Sequence, residues 1–347
     1  IYTPRTLFPY TTLFDLGINL NDFVKEKDNN IIQMAKILDI NASVIEDKLK
    51  ANKNPDEFIP IINILSSEKV KIAGVMKIKG VLPMRPKGRI YPGGEAFGSL
   101  IGYIAPITAE ELENNKGQGY SSSSLIGKAG LEQVYEKRLK GDSGVIISIS
   151  RQKDGKAIKQ DTVLKKVSKN GENITLSVDA HLQTNIYKGM NKEPGASAAI
   201  NPKTGEVLAL VSSPSYDSNA YTTYKSNTQI AAWKSEKEPF KNRFKVVYSP
   251  GSTFKLITAA VGLDNAKLKP EELINIQGKK WQPDKSWGSS VVTRVSDKIT
   301  SVNLKDAFVY SDNIYFAQAA LKIGKENFIK GASKFGIGEK LPIDYPI

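Results

Sequence analysis

The sequence predicts an α+β fold in two domains, and three observations predict it. At 347 residues the chain has material for two cores. Helical spacing and strand-type runs alternate both before and after its middle. Between the two patterned regions, Gln152 to Gly171 is a stretch of mixed charge that reads as a linker. A hydrophobic content of 40% with 24% charged residues is ordinary for water-soluble globular protein. No run approaches the ~18 uninterrupted apolar residues of a membrane span. No signal peptide is visible and the first residue is Ile1, so both ends read as cuts in a longer protein.

The first domain is expected over 15–151. Residues 1–14 fit poorly with the remainder of the chain: Thr6 to Phe14 resembles translated adapter sequence and is set apart as foreign, in preference to an edge strand. From Gly17 onward, Ile31 to Leu38 has the spacing of an amphipathic helix. Ser43 and Glu46 read as a capping box opening a second helix. Val70 to Ile78 and Ser99 to Ile104 read as strands, and Ser121 to Ser124 as a turn. Leu125 to Glu136 is a Gly-punctuated entry to a helix that ends near Gly141, and Gly127-Lys128 lacks the spacing of a phosphate-binding loop.

The second domain is expected over 172–347. It opens with a strand, Asn173 to Val178, and a helix, Ala180 to Met190. Ala198 to Val211 is two apolar strands around an Asn-Pro-x-x-Gly turn, a hairpin. Tyr216 to Phe244 is long and polar, read as loop and short helices at the rim of a cleft. The tryptophans of Trp281 to Gly288 read as local packing anchors rather than ligand stackers.

The chemistry concentrates at Ser252-Thr253-Phe254-Lys255. Pro250 and Gly251 punctuate the chain before an apolar helix, so Ser252 falls at or beside the N-cap. Residues three apart are neighbours on a helix, which brings Lys255 beside the Ser252 hydroxyl. A serine needs a base to become a nucleophile, and a lysine with a lowered pKa is such a base. The helix N-terminus adds positive potential where an oxyanion develops. The motif alone is weak, since Ser66-Lys69 and Ser150-Lys153 share it and read as solvated chance matches. A second motif comes later, Ser311-Asp312-Asn313, at a polar corner between a helix opening at Asn303 and another ending at Gly324.

Composition removes the rival nucleophile chemistries. With no cysteine there is no thiol catalysis and no thiolate metal site. A Ser-His-Asp triad would rest on His181 alone, which reads as a solvated helical residue, and a multi-histidine zinc site is impossible. The net charge of +13 is carried by lysines scattered among acids, so it reads as solvated surface suited to an anionic envelope, not as a nucleic-acid site.

The order Ser-x-x-Lys then Ser-Asp-Asn resembles the penicillin-recognising serine enzymes, whose third motif is Lys-Thr-Gly. Lys203-Thr204-Gly205 has that composition but precedes Ser252 inside the hairpin, and the structural reading of Lys203 is preferred. From Gly17 to Ile347 the chain resembles a class B penicillin-binding protein. Arg89 to Pro92 through Tyr103, and Gly127 to Glu132, resemble its pedestal or dimerisation domain. Thr175 to Gln183, Ser213 to Asp217, Asn242 to Phe244 and Ser249 to Lys255 resemble successive parts of its transpeptidase domain, which has a serine β-lactamase-like fold. The Trp281 to Gly288 loop and the ending Asp344-Tyr345-Pro346 resemble the low-affinity, β-lactam-resistant subgroup.

The resemblance implies a peptidoglycan D,D-transpeptidase at the extracytoplasmic face of the cell membrane, held there by an anchor that this sequence does not contain. Its partners would be stem peptides and β-lactams. Ser252 would be the acylated nucleophile, Lys255 its base and Ser311 a proton relay, with Asn313 binding substrate backbone and Asp312 bracing the corner. No metal and no cofactor are implied. The third motif would lie beyond Ile347, which leaves an inactive fragment or an envelope scaffold as one alternative. A Ser-Lys β-lactamase or β-lactam sensor is another, disfavoured by the large region before Gly171.

Overall fold

The structure, a computed structural model, describes residues 12–345 apart from 24, 25, 53, 55, 56, 87, 154, 155, 235 and 236. The chain forms two compact units, one reaching to Val246 and taking in Asp344 and Tyr345, the other spanning Val247–Ile343.

The first unit opens with β1 (Leu13–Ile18), α1 (Leu20–Phe23), α2 (Lys27–Leu38), α3 (Ala42–Ala51), β2 (Ile59–Leu65), α4 (Lys69–Val75) and β3 (Val81–Met84). β1 is the central strand of an antiparallel sheet ordered β2-β1-β3. The foreign segment was expected to reach Phe14, yet Leu13 and Phe14 pair with Leu65 and Ile64 in this sheet, and Leu13 is buried. Residues 1–11 lie outside the described residues. Ile31, Met34 and Leu38 of α2 recur at helical spacing and join Leu16, Ile18, Ile45, Ile64 and Val81 in one core.

Three local expectations fail here. The Ser43-Glu46 box does not form, because Asn41 caps α3 and Ser43 already lies inside its first turn. The strand expected over Val70 to Ile78 is α4: the alternation of Val70 and Ile72 with lysines mimics a strand, while only Val75 of that helix is buried. The strand expected over Ser99 to Ile104 is α5 (Glu95–Ile101), followed by β4 (Ile104–Pro106). Its small residues serve close packing, since a Cβ at Gly98 would fall 1.8 Å from the Tyr216 carbonyl oxygen.

A capping box does open the next helix, α6 (Ala109–Asn114), where Thr108 and Glu111 exchange their bonds. β5 (Leu125–Gly127) pairs with β4, and α7 (Gly130–Val134) and α8 (Glu136–Leu139) come next. The glycines of this entry are structural: Gly130 has φ +60, and its Cβ would fall 2.4 Å from the Gly102 nitrogen. Glu132 is buried against Arg89, with N···O distances of 3.1 and 3.2 Å.

The expected linker is a hairpin instead. β6 (Val145–Lys153) pairs with β7 (Lys156–Lys166), and β7 occupies much of 152–171. Residues 161–170 are exposed, and exposed mixed charge is something a two-stranded ribbon shares with a linker. Asn173 to Val178 forms no sheet ladder, although the Asp179 amide bonds the Leu208 carbonyl at 2.8 Å. Asp179 then caps α9 (Ala180–Gly189), on which His181 is exposed, as expected. β8 (Gly195–Ile200) and β9 (Val207–Ser213) form the expected hairpin, with Lys203 exposed in its turn. Tyr216 to Phe244 holds a 3-10 turn (Ser218–Tyr221) and α10 (Asn227–Trp233), and Tyr221 stacks on Tyr103 and Trp233. Tyr345 inserts beside Phe244 and accepts a hydrogen bond from Asn242 Nδ2 at 3.1 Å.

The second unit is helical with short two-stranded ladders. A 3-10 turn (Gly251–Phe254) leads into α11 (Lys255–Asp264), followed by β10 (Ile274–Asn275), β11 (Lys280–Trp281), β12 (Val292–Thr293) and β13 (Ser301–Val302). Three helices close it: α12 (Leu304–Val309), α13 (Asn313–Ile323) and α14 (Lys325–Ser333). Ala259, Ile276, Val302, Ala307, Ile314 and Phe316 form its core, with Trp281 packed against it and edge-on to Trp287 at 6.2 Å. Trp281 is a packing anchor, as expected, whereas Trp287 is exposed. Among the described residues no helix is long and apolar enough to cross a membrane.

Candidate active site

Ser252 sits inside the 3-10 turn rather than at the cap of an α-helix, and the turn runs without interruption into α11. In a 3-10 turn residues i and i+3 eclipse one another, so Ser252 and Lys255 share one side. Gly251 precedes them at φ +54, a conformation glycine adopts without steric cost.

The second motif faces them from the corner between α12 and α13. Asn303 caps α12 by accepting from the Asp306 amide at 2.9 Å. The other end of α12 closes with two bonds, Ser311 N–H to Phe308 O at 3.1 Å and Asp312 N–H to Ala307 O at 2.8 Å. That is a Schellman closure, and it requires a left-handed residue at the position Ser311 occupies, with φ +49. Asp312 then caps α13, its Oδ1 accepting from the Ile314 and Tyr315 amides at 2.9 and 3.1 Å. One helix stop abuts one helix start, so three consecutive side chains are held by separate constraints. Gly324 ends α13 at φ +81, where the sequence placed its end.

The side chains converge. Lys255 Nζ donates to Ser311 O at 2.7 Å, Ser311 Oγ at 2.9 Å and Asn313 Oδ1 at 2.6 Å. Ser311 Oγ donates to Ser252 Oγ at 3.0 Å. The expected Lys255–Ser252 contact is thus made through Ser311. Three acceptors match the three protons of an ammonium, so this arrangement holds Lys255 charged. Burial nevertheless pushes the Lys255 ammonium below the ordinary lysine value, with the Asp312 carboxylate acting in the opposite sense. The Phe316 ring lies 5.6 Å from Nζ. Ser252 itself is exposed, open to a substrate.

Asn313 is engaged at both ends of its amide. Oδ1 takes the lysine bond, and Nδ2 donates to the Thr293 carbonyl at 2.9 Å. One N–H is left over for a ligand. Asp312 does brace the corner, but through a partner that sequence reasoning missed. Arg294 is buried and bonds Asp312 Oδ2 at 2.9 Å. A signal was present: the chain has seven arginines among its 49 cationic residues, and Arg294 interrupts the apolar run Val291-Val292-Thr293-Arg294-Val295. Arg85, Arg89, Arg138 and Arg151 are exposed, so the signal is the place of Arg294 in that run, where a guanidinium among apolar neighbours has to bring its fork to buried acceptors. Lys203 belongs to the first unit, in the β8–β9 turn.

Residues 195–347 match the family model described as penicillin binding protein transpeptidase domain, and residues 10–176 match penicillin-binding protein dimerisation domain. Penicillin-binding protein 3 of Bacillus subtilis is 38% identical over 339 residues, covering 97% of this chain and 50% of that protein. Peptidoglycan D,D-transpeptidase MrdA of Acinetobacter baumannii is 29% identical over 333 residues, covering 93% of this chain and 48% of the relative. The chain spans about half the length of these curated relatives. Among solved structures, Pseudomonas aeruginosa PBP2 in complex with WCK 5153 is similar at a TM-score of 0.56 and 29% identity, over 75% of this chain and 53% of that one.

Proposed function

For a chain that belongs to the class B penicillin-binding proteins, we propose peptidoglycan D,D-transpeptidation through an acyl-enzyme on Ser252. The observation that carries this reading is the hydrogen-bonded file Ser252–Ser311–Lys255. When Lys255 is neutral, its lone pair accepts the Ser311 hydroxyl proton while Ser311 Oγ accepts that of Ser252. Ser252 Oγ then attacks the carbonyl of the penultimate D-alanine in a stem peptide ending D-Ala-D-Ala. As the tetrahedral adduct collapses, the C–N bond breaks and the file returns the proton to the departing D-alanine amine. An amine of a second stem peptide attacks the ester, gives up its proton to the same file and restores Ser252. Peptide bonds are conserved in number, so no external energy source is needed. Asn313 orients the donor backbone with its spare N–H.

A β-lactam enters by the same attack, but its opened ring stays tethered and blocks the acceptor. The names of the relatives, a penicillin-binding protein and a peptidoglycan D,D-transpeptidase, support this reading, and action at the outer face of the bacterial membrane is proposed with it. The test is labelling of the full-length protein with a fluorescent penicillin, followed by intact-mass and peptide mapping. One adduct on Ser252 is expected, lost in Ser252→Ala and slowed about 10²- to 10⁴-fold in Lys255→Ala. Labelling that survives Ser252→Ala overturns the nucleophile. Rapid multiple turnover of the penicillin would point to a hydrolase instead.

A further inference from the structure

We propose that Arg294 is a positioning residue for this acyl transfer, acting through Asp312 to fix the Ser311–Asn313 corner and to offset the carboxylate's field at Lys255. The inference rests on the Ser252 acyl-enzyme reading and adds a residue to it.

The geometry is that of a clasp. The Arg294 guanidinium makes three bonds: Nη1 to Asp312 Oδ2 at 2.9 Å, Nη2 to the Ile276 carbonyl at 2.9 Å and Nε to the Gly278 carbonyl at 2.8 Å. Its own amide bonds the Lys279 carbonyl at 3.1 Å. The preceding residue, Thr293, receives Asn313 Nδ2. One short segment therefore holds two of the three corner residues, at Asp312 and at Asn313. The third, Ser311, sits between a helix stop and Asp312 in a left-handed conformation that serine does not prefer, so it keeps that conformation only while both flanks are fixed.

The pair is deeply buried, with side-chain exposures of 1% for Arg294 and 2% for Asp312. Replacing such a pair by apolar groups is often neutral or stabilising, so stability alone is weak grounds for an ion pair here. Position supplies a stronger one. Asp312 Oδ1 is committed to the first turn of α13, and the Asp312 charge is the one that acts on Lys255 against burial. A cation on Oδ2 limits that action. On the helices packed against α11, Lys322 of α13 pairs with Glu272, and Lys334, the residue just after α14, pairs with Asp264 of α11 itself. Lys325, Glu326 and Lys330 are the charged residues of α14. Asp312 is the carboxylate that acts on Lys255.

The test measures the second-order rate of penicillin acylation against pH in the full-length protein and three variants. Arg294→Met leaves Asp312 uncompensated, so the rising limb governed by Lys255 moves to higher pH and the rate at pH 7 falls about 10- to 100-fold. Arg294→Lys keeps the charge and loses the three-way fork, so the limb stays near the wild-type pH while the rate falls. In Arg294→Met/Asp312→Asn both charges are gone, and the limb moves back below that of Arg294→Met. The double variant also covers the case in which Arg294→Met alone does not fold, since its limb is then compared with the wild type and should not lie above it. A limb unchanged in Arg294→Met, with a rate within twofold of wild type, overturns the proposal. So does a double variant whose limb lies above wild type. Absence of Ser252 labelling in the wild type would instead remove the underlying reading, which keeps the two failures apart.

Discussion

Ser311 is placed at a position that favours glycine, and replacing it separates what the fold prefers from what the chemistry needs. With φ +49 it bears the cost of a left-handed L-residue, roughly 1–2 kcal/mol. Ser311→Ala keeps that cost and removes the hydroxyl. Ser311→Gly relieves it, less the roughly 0.5–1 kcal/mol that glycine loses in chain entropy on folding. Both variants forfeit the same bonds to Lys255 and Ser252, so that loss cancels between them. The glycine variant should therefore be the more stable of the two by up to about 1.5 kcal/mol. Denaturant unfolding, with equal slopes for the two variants, reads this difference directly. Acylation by fluorescent penicillin should fall about 10²- to 10⁴-fold in both, because the relay hydroxyl is gone in each. An alanine variant clearly more stable than the glycine variant would show that the corner is not strained. Acylation of either variant at the wild-type rate would show that Lys255 reaches Ser252 without Ser311.

Acylation of the wild type should rise with pH and level off below the ordinary lysine value of 10.5, because burial lowers the Lys255 pKa and the neutral amine is the base. The same shift makes the unfolded chain bind more protons between the folded and unfolded values, so stability rises with pH across that window, and Lys255→Met should flatten the rise in denaturation curves. Arg89→Met should destabilise the first unit by about 1–3 kcal/mol by leaving the buried Glu132 carboxylate without its cation. Burial holds the Glu132 pKa up and Arg89 opposes it, so Glu132 favours folding when protonated and the loss should be smaller at pH 4 than at pH 8. Gly98→Ala should cost at least about 3 kcal/mol despite the better helix propensity of alanine, because the new Cβ meets Tyr216 backbone. A thermal midpoint equal to wild type would refute that close approach.

The site was more legible than the scaffold, for physical reasons that differ by residue. Ser252, Lys255, Ser311 and Asn313 were singled out because motif order survives without knowledge of packing, and the structure brings the four side chains together, at a corner bounded by Asn303 and Gly324. The roles within it were less legible. Sequence spacing makes Lys255 a neighbour of Ser252, but which hydroxyl the amine touches depends on a left-handed Ser311, and serine gives no local signal for that conformation. Arg294 escaped for a related reason, since nothing along the chain says that it and Asp312 meet. In the first unit the failures came where tertiary contact overrides pattern. Gly98 and Ser99 look like poor helix formers until the Tyr216 backbone is set against them, and Ser99 Oγ meets Ser215 Oγ at 2.9 Å.

The corner also shows why the Asp of Ser311-Asp312-Asn313 does more than separate two functional neighbours. A Schellman stop sets Ser311, an N-cap sets the start of α13, and Asp312 supplies the atoms on which both depend: its amide closes α12 while its carboxylate opens α13. An asparagine at 312 could keep the Oδ1 bonds, but its NH₂ would point donors at the donors of Arg294. Aspartate is therefore selected here by the arginine behind it as much as by the helix in front. The cost is a negative charge that acts on Lys255 against burial, and under the proposed mechanism the arginine would limit that cost. On the proposed reading, acylation at Ser252 rests on a local compromise between a helix cap and a base, settled by a residue that touches neither Ser252 nor Lys255.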